Sequence, residues 1–379
     1  MNSQKGVYAH MKLVCSKSNL LTGLQVVSKA VPNKTTMSIL ECILIDSTSG
    51  EIKLTANDME LGIETIIEGE ILEKGIIALD AKIFLEIVRK LPDNDITITT
   101  DSNFKTAITC EKAKFNIIGK SGEDFSYLPM IERNESIIIS QYTLKEVIRQ
   151  TIFSISDNDN NKLMSGELFE INGEEMRVIS LDGHRISIRK IHLKNSYPAK
   201  KVVVPGKTLN EISKILSGDA DKDVTIFFTD KHIVFEFENT TVVSRLIEGE
   251  YFKIDQMLSS DYETKVIIHK KELLDCIDRA TLLIKEGDKK PIIINITDGS
   301  MELKINSTVG SMDEEIDIEK MGKDLMIGFN PKFLIDALRV IDDETITIYL
   351  VNPKAPCFIR DEENNYIYLI LPVNFTTVS

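Results

Sequence analysis

DAKIFLEIVRKLPDNDITI (80–98), PGKTLNEISKILSGDADKDVTI (205–226) and NPKFLIDALRVIDDETITI (330–348) are three copies of one pattern, each beginning 125 residues after the one before. In register, Lys82, Lys207 and Lys332 fall in one column, and Arg89, Lys214 and Arg339 in a second basic one. Glu86, Glu211 and Asp336 form an acidic column between them. Phe84/Leu209/Leu334, Ile87/Ile212/Ala337 and Leu91/Leu216/Ile341 are the apolar columns. Six chemically matched columns at one spacing mark an internal repeat. At about 100° per residue, Lys82 and Arg89 lie within about 20° of each other, Glu86 about 40° away and the apolar columns opposite. Each copy is therefore an amphipathic helix that buries one side and shows two bases and an acid on the other.

A weaker set of matches precedes these. VCSKSNLLTGLQVVSKA from Val14, IISQYTLKEVIRQTIF from Ile138 and IIHKKELLDCIDRATLL from Ile267 align Leu20 with Leu144 and Leu273, and Leu24 with Ile148 and Ile277. Each unit thus holds two helices. The remainder is short alternating runs such as TITTD, RVISLDG, TIFFTD and HIVFEFEN, bounded by Asp, Asn, Gly and Ser, which read as antiparallel strands. The fold class is α+β, with three similar domains over 11–134, 135–260 and 261–379, each with two helices packed on antiparallel sheets. Residues 1–10 match nothing in the repeat and read as an N-terminal extension.

The chain has 379 residues and a formal charge of −14. Its six helical segments together carry +8, so the rest carries −22. A conventional open-faced nucleic-acid binder is basic overall, and the whole-chain charge argues against that class. The plain reading of the helical faces is a solvated surface laced with weak ion pairs of about 0.2–0.5 kcal/mol each. The sharper reading is that the faces line one surface tracking a polyanion. Its bases are Lys82, Arg89, Lys145, Arg149, Lys207, Lys214, Lys332 and Arg339, and the acidic column counts against a tight grip on phosphate. No run approaches the ~18 apolar residues of a membrane span, and no signal peptide opens the chain. Five scattered cysteines fit a reducing cytoplasm better than a disulfide framework.

Several local strings fail as chemical sites. Gly119-Lys120-Ser121 lacks the phosphate-loop glycine five positions earlier, where Lys114 stands. Asp157-x-Asp159-x-Asn161 resembles the start of a calcium loop, but its sixth and twelfth positions are Lys162 and Leu168. The five histidines show no zinc pattern, so no metal and no cofactor is expected. Asp182-Gly183-His184-Arg185, with Ser187 nearby, is best read as a tight turn after a strand, one able to shape a binding surface. A hydrolase built on Asp182, His184 and Ser187, and a scaffold that never touches nucleic acid, are the rival functions. The chain's end, YLILPVNF (368–375), is apolar where termini are usually polar; it reads either as the last core strand or, with proline demoting it to an edge or strand end, as apolar groups available to a partner.

With the threefold repeat, SLDGHRIS (180–187), GELFE (166–170), IGFNPKFLIDAL (327–338) and YLILPVNF together resemble the beta subunit of bacterial DNA polymerase III, the sliding clamp, over residues 11–379. The resemblance implies a non-catalytic processivity factor: a head-to-tail homodimer ring whose helices line a hole around duplex DNA, cytoplasmic and with no membrane contact. It implies a pocket for short peptide motifs of the DNA polymerase III alpha subunit, the clamp loader and other replication and repair proteins. That pocket would comprise Met164, Leu181, Gly183, His184, Arg185, Ile186 and Met257. It would continue through Asn330, Phe333, Pro356, Leu369, Ile370, Leu371, Pro372 and Val373. The dimer interface would involve Phe115 and Ile117 of one chain and Leu282 and Leu283 of the other, with Lys34 on a loop near DNA. Phe252 stands where the family often has proline, and Asn374 where it often has a base, so peptide preference stays open.

Overall fold

A computed structural model describes residues 10–157, 161–285 and 290–375. Residues 1–9 of the expected extension, and Asp159 of the rejected calcium-loop string, lie outside the described residues. Among the described residues six α-helices stand where the repeat columns put them: α1 (Lys17–Val27), α2 (Ala81–Lys90), α3 (Gln141–Thr151), α4 (Gly206–Ile215), α5 (Lys270–Thr281) and α6 (Pro331–Val340). Every residue of the three apolar columns is buried, as are the aligned leucines and isoleucines of α1, α3 and α5.

Local chemistry sets the helix ends. Asp80 accepts from Ile83 N at 2.8 Å and Asn330 from Lys332 N at 3.0 Å, each satisfying a donor left over in the first turn. Pro331 occupies a first-turn position, where a missing N–H is no loss. The C-termini are tied by a column that sequence comparison passed over, Lys17/Gln141/Lys270. Lys17 Nζ donates to Leu91 O and Lys270 Nζ to Ile341 O, cations at the negative ends of α2 and α6. In the middle repeat Gln141 Oε1 accepts from both Ser217 N and Ser217 Oγ at 2.9 Å.

The strands pair antiparallel throughout the described residues, and their alternation shows in Asp95–Thr100, where Ile96 and Ile98 are buried while Asp95 and Thr99 are exposed. The chain gathers into two compact units, Met1–Tyr142 with Glu211–Leu246, and Thr143–Asn210 with Ile247–Ser379. This differs from a division by repeat, and the reason is strand pairing. In the first unit a nine-stranded sheet runs through the pair Leu61–Ile67 and Thr240–Arg245, a strand of the first repeat beside one of the second. In the second unit a seven-stranded sheet runs through Arg185–Pro205 and Tyr366–Ile370, second repeat beside third. The middle repeat is thus shared out by its hydrogen bonds. A five-stranded sheet completes the first unit and a four-stranded sheet the second. In the second unit Ile268, Ile294, Ile327, Leu334 and Leu338 belong to one core that joins both sheets to α5 and α6.

A buried carboxylate departs from the apolar pattern of the core. Glu167, on strand Gly166–Leu181, is fully buried and neither carboxyl oxygen has a hydrogen-bond partner. Thr151 is near, but its hydroxyl donates to Val147 O at 2.7 Å. Burial therefore raises the Glu167 pKa to about 8, with Thr151 offsetting little.

Two outcomes follow. Phe84→Ala should cost about 3–5 kcal/mol in urea unfolding, whereas Lys82→Ala should stay within about 0.5 kcal/mol. A similar loss from both would mean the helix is not buried on its apolar side. For Glu167, the unfolded chain releases its proton near the ordinary carboxyl value of 4.5 while the native state holds it to about 8. Native stability therefore falls as pH rises through that window, by roughly 1.4 kcal/mol per unit at most. Glu167→Gln should match the parent near pH 5 and exceed it by a few kcal/mol near pH 8.5; an equal offset at both would show that the buried carboxyl does not titrate this way.

Candidate partner-binding groove and basic helix faces

The turn Asp182-Gly183-His184-Arg185 joins the two long strands of the second unit. Asp182 Oδ1 accepts from His184 N at 2.9 Å and from Arg185 N at 3.2 Å, and Gly183 takes a φ of +89°, a conformation costly for residues with a Cβ. Across the seam Ile186 lies opposite Leu369, and Leu371 N donates to His184 O at 2.9 Å. The pleat then sorts the side chains. Ser180, Ser187 and Tyr368 point to one face and bond to Thr151 O, Ser154 Oγ and Gln150 O at 2.6, 2.5 and 3.0 Å. Leu181, Ile186 and Leu369 point to the other, above a cluster that includes Leu168, Ile179, Tyr251 and Phe358.

On that face lies a groove of about 460 Å³, lined by Met164, Leu181, Gly183, His184, Arg185, Ile186, Phe252, Met257, Pro356, Leu369 and Leu371. Met257 and Leu371 stand partly exposed at its mouth, 50% and 37% accessible. Arg185 braces the wall. Its guanidinium is buried, donates to Asp182 Oδ2 (3.0 Å), Asp336 Oδ2 (2.7 Å) and Phe153 O (2.6 Å), and lies 4.4 Å from the Phe333 ring centre.

Five residues expected in the groove do not line it. Asn330 caps α6, and Phe333 lies beneath Arg185. Ile370 alternates with Leu369 and so points into the core. Pro372 and Val373 follow the chain away, Val373 N donating to Gly328 O at 2.9 Å. Phe252, noticed only as a departure, is a wall of the groove. The hydrolase alternative fails on geometry: Asp182 is committed to its turn and to Arg185, while Ser187 is buried against Ser154 on the opposite face from the groove.

On the helices, Lys82, Lys207 and Lys332 are exposed, and among the described residues Lys82 and Lys332 make no ion pair. The second basic column is partnered. Arg89 pairs with Glu86, Lys214 with Glu211 at 2.8 Å, and Arg339 with Asp278 at 3.2 Å. Arg149 is held by Glu146 at 2.6 Å and Asp342 at 3.1 Å, so its charge is largely spent within the protein. Lys145 is half-buried, and Lys34 is exposed. Phe115 and Ile117 sit on strand Ala113–Ile118, with Ile118 of the same strand 80% exposed and missed by the sequence reading. Leu282, just beyond α5, is also 80% exposed, whereas Leu283 packs on the core. All five cysteines are buried and unpaired. Among the described residues no acidic, His or Cys cluster is placed to hold a metal, and no helix is long and apolar enough to cross a membrane.

Comparison with known proteins covers nearly the whole chain. Models of the DNA polymerase III beta subunit match in three consecutive pieces: the N-terminal domain over residues 11–129, the central domain over 138–253 and the C-terminal domain over 255–374. A beta sliding clamp of Staphylococcus aureus is 33% identical over 374 residues, covering 96% of this chain and 99% of the relative. A crystal structure of a candidate DNA polymerase III beta subunit from Eubacterium rectale is 77% identical, with a TM-score of 0.95 over 96% of this chain and 100% of that one. The DNA polymerase sliding clamp of Bacillus subtilis is 33% identical, with a TM-score of 0.94 over 97% of this chain and 100% of that one.

Proposed function

The chain belongs to the DNA polymerase III beta-subunit family, the non-catalytic sliding clamps of replication, and from that premise we propose that two copies close head to tail into a ring around duplex DNA. The ring tethers the DNA polymerase III alpha subunit, the clamp loader and other motif-bearing proteins in the cytoplasm. The observation that carries the tethering role is the apolar groove at the second seam. It is preformed, open at the mouth and walled by Met164 and Met257, whose flexible side chains suit several ligands. A partner bound there is held near DNA by the ring, which raises its effective concentration without any new contact to DNA.

Ring closure is supported by two sheet edges. Strand Ala113–Ile118 ends the five-stranded sheet and Ser311–Asp317 ends the four-stranded one, each hydrogen-bonded on a single side. Exposed edges invite pairing with another chain, and Phe115 and Ile118 add apolar area at the first. Sliding is supported by the helix faces. One lysine column is exposed, and the second basic column is paired with carboxylates of the same or a neighbouring helix, so the faces attract phosphate without gripping it. Lys34, Lys82, Lys207 and Lys332 are the bases proposed to meet DNA, and the −14 of the whole chain discourages adhesion to outer surfaces.

The decisive measurement is retention on nicked circular DNA, which should be lost when the circle is cut to a line. Equal retention on both forms would point to ordinary adhesion and overturn the ring. Leu371→Asp should abolish polymerase stimulation with the dimer intact by sedimentation, while Val373→Asp, outside the groove, should do less. Dissociation by Leu371→Asp would make that residue part of the subunit interface instead.

A further inference from the structure

We propose that the first seam carries a second peptide site, which takes a linear segment presenting one large apolar side chain beside a carboxylate. Asp58-Met59-Glu60-Leu61 repeats the hydrogen bonds of the turn that builds the groove. Asp58 Oδ1 accepts from Glu60 N at 3.0 Å and Leu61 N at 2.7 Å, as Asp182 Oδ1 does from His184 N and Arg185 N. Both turns meet their seam in one register: Leu61 faces Ser244 and Gly62 faces Val243, where Arg185 faces Ile370 and Ile186 faces Leu369. At these matched positions the first unit has its own cavity, of about 280 Å³. Leu128 and Val243 are among its apolar lining, and Leu128 sits so close to Gly62 that a Cβ there would lie 2.0 Å away. The space left suits one large side chain rather than the longer apolar run the 460 Å³ groove could hold.

Two features say what enters. Met59 takes a φ of +77° at the position where the other turn has Gly183, a conformation disfavoured for any residue with a Cβ. A turn needing only its geometry would be better served by glycine. What methionine adds is a flexible apolar side chain, half exposed at the cavity mouth beside Tyr127. On the opposite wall Arg245 is 59% accessible and its nearest carboxylate, Glu60, is 3.9 Å away. His232 lines the cavity beside it, and burial together with Arg245 and Lys231 holds the His232 pKa below its ordinary value, with Glu60 opposing. An accessible arginine in so loose an ion pair, beside an apolar hole, can take up the carboxylate of an acidic residue next to an apolar anchor.

The test uses the full-length protein and a fluorescein-labelled peptide, Ser-Leu-Phe-Asp-Glu, read by fluorescence anisotropy. The Leu371→Asp variant, blocked at the larger groove, should still bind it. Adding Arg245→Glu should weaken that residual binding at least tenfold. Adding Met59→Gly should weaken it several-fold while leaving the thermal midpoint unchanged or higher, an effect a purely structural role would not give. No binding by Leu371→Asp up to millimolar peptide, or residual binding indifferent to both added changes, overturns the proposal. The same outcomes leave the DNA-retention test of the ring untouched, so the two readings fail separately.

Discussion

Hydrogen bonding between strands of neighbouring repeats is the constraint from which the rest follows. A repeat of this kind ends in a strand with unpaired N–H and C=O groups, and leaving them open costs stability and invites aggregation. Pairing Leu61–Ile67 with Thr240–Arg245, and Arg185–Pro205 with Tyr366–Ile370, satisfies both edges within the chain. Because side chains alternate across the pleat, the same pairing sends Leu181, Ile186 and Leu369 to one face and Ser180, Ser187 and Tyr368 to the other. The groove is therefore a product of the seam, and a one-residue slip would exchange its apolar wall for hydroxyls.

Arg185 shows how tightly seam and helix are joined. Its buried guanidinium is matched by Asp182 and Asp336, a carbonyl and an aromatic ring, so removing either acid would strand a charge out of water. Asp336 belongs to the acidic column that elsewhere neutralises the second basic column. In α6 that acid is drawn off to Arg185, and Arg339 turns instead to Asp278 on α5. Three copies of one sequence pattern thus reach charge balance by two routes, and the exposed lysine column is left as the common feature.

The helices and their faces were legible because helical periodicity is a local property: residues three, four and seven apart meet on one side whatever the rest of the chain does. The Asp-Gly turn was legible for the same reason. Most of the groove was legible only through resemblance, since Met164, Met257, Pro356 and Leu369 share no local pattern. Pleat direction has no local signal in that segment: Ile370, next to Leu369 on the strand, faces the core, and Val373 lies beyond the strand's end at Ile370.

By itself the sequence determined a thrice-repeated α+β unit, the buried side of each helix, and a charge pattern rich in bases on helices and in acids elsewhere. Tertiary structure alone decided that the middle repeat is divided between two compact units, that Arg149 is neutralised by Asp342, that Glu167 is sealed in the core, and that Met59 stands strained over a second cavity. The physical reason is range. Periodicity and turn chemistry act over a few residues, whereas strand partners and ion pairs up to 193 positions apart are chosen by whichever packing leaves the fewest backbone groups and charges unsatisfied.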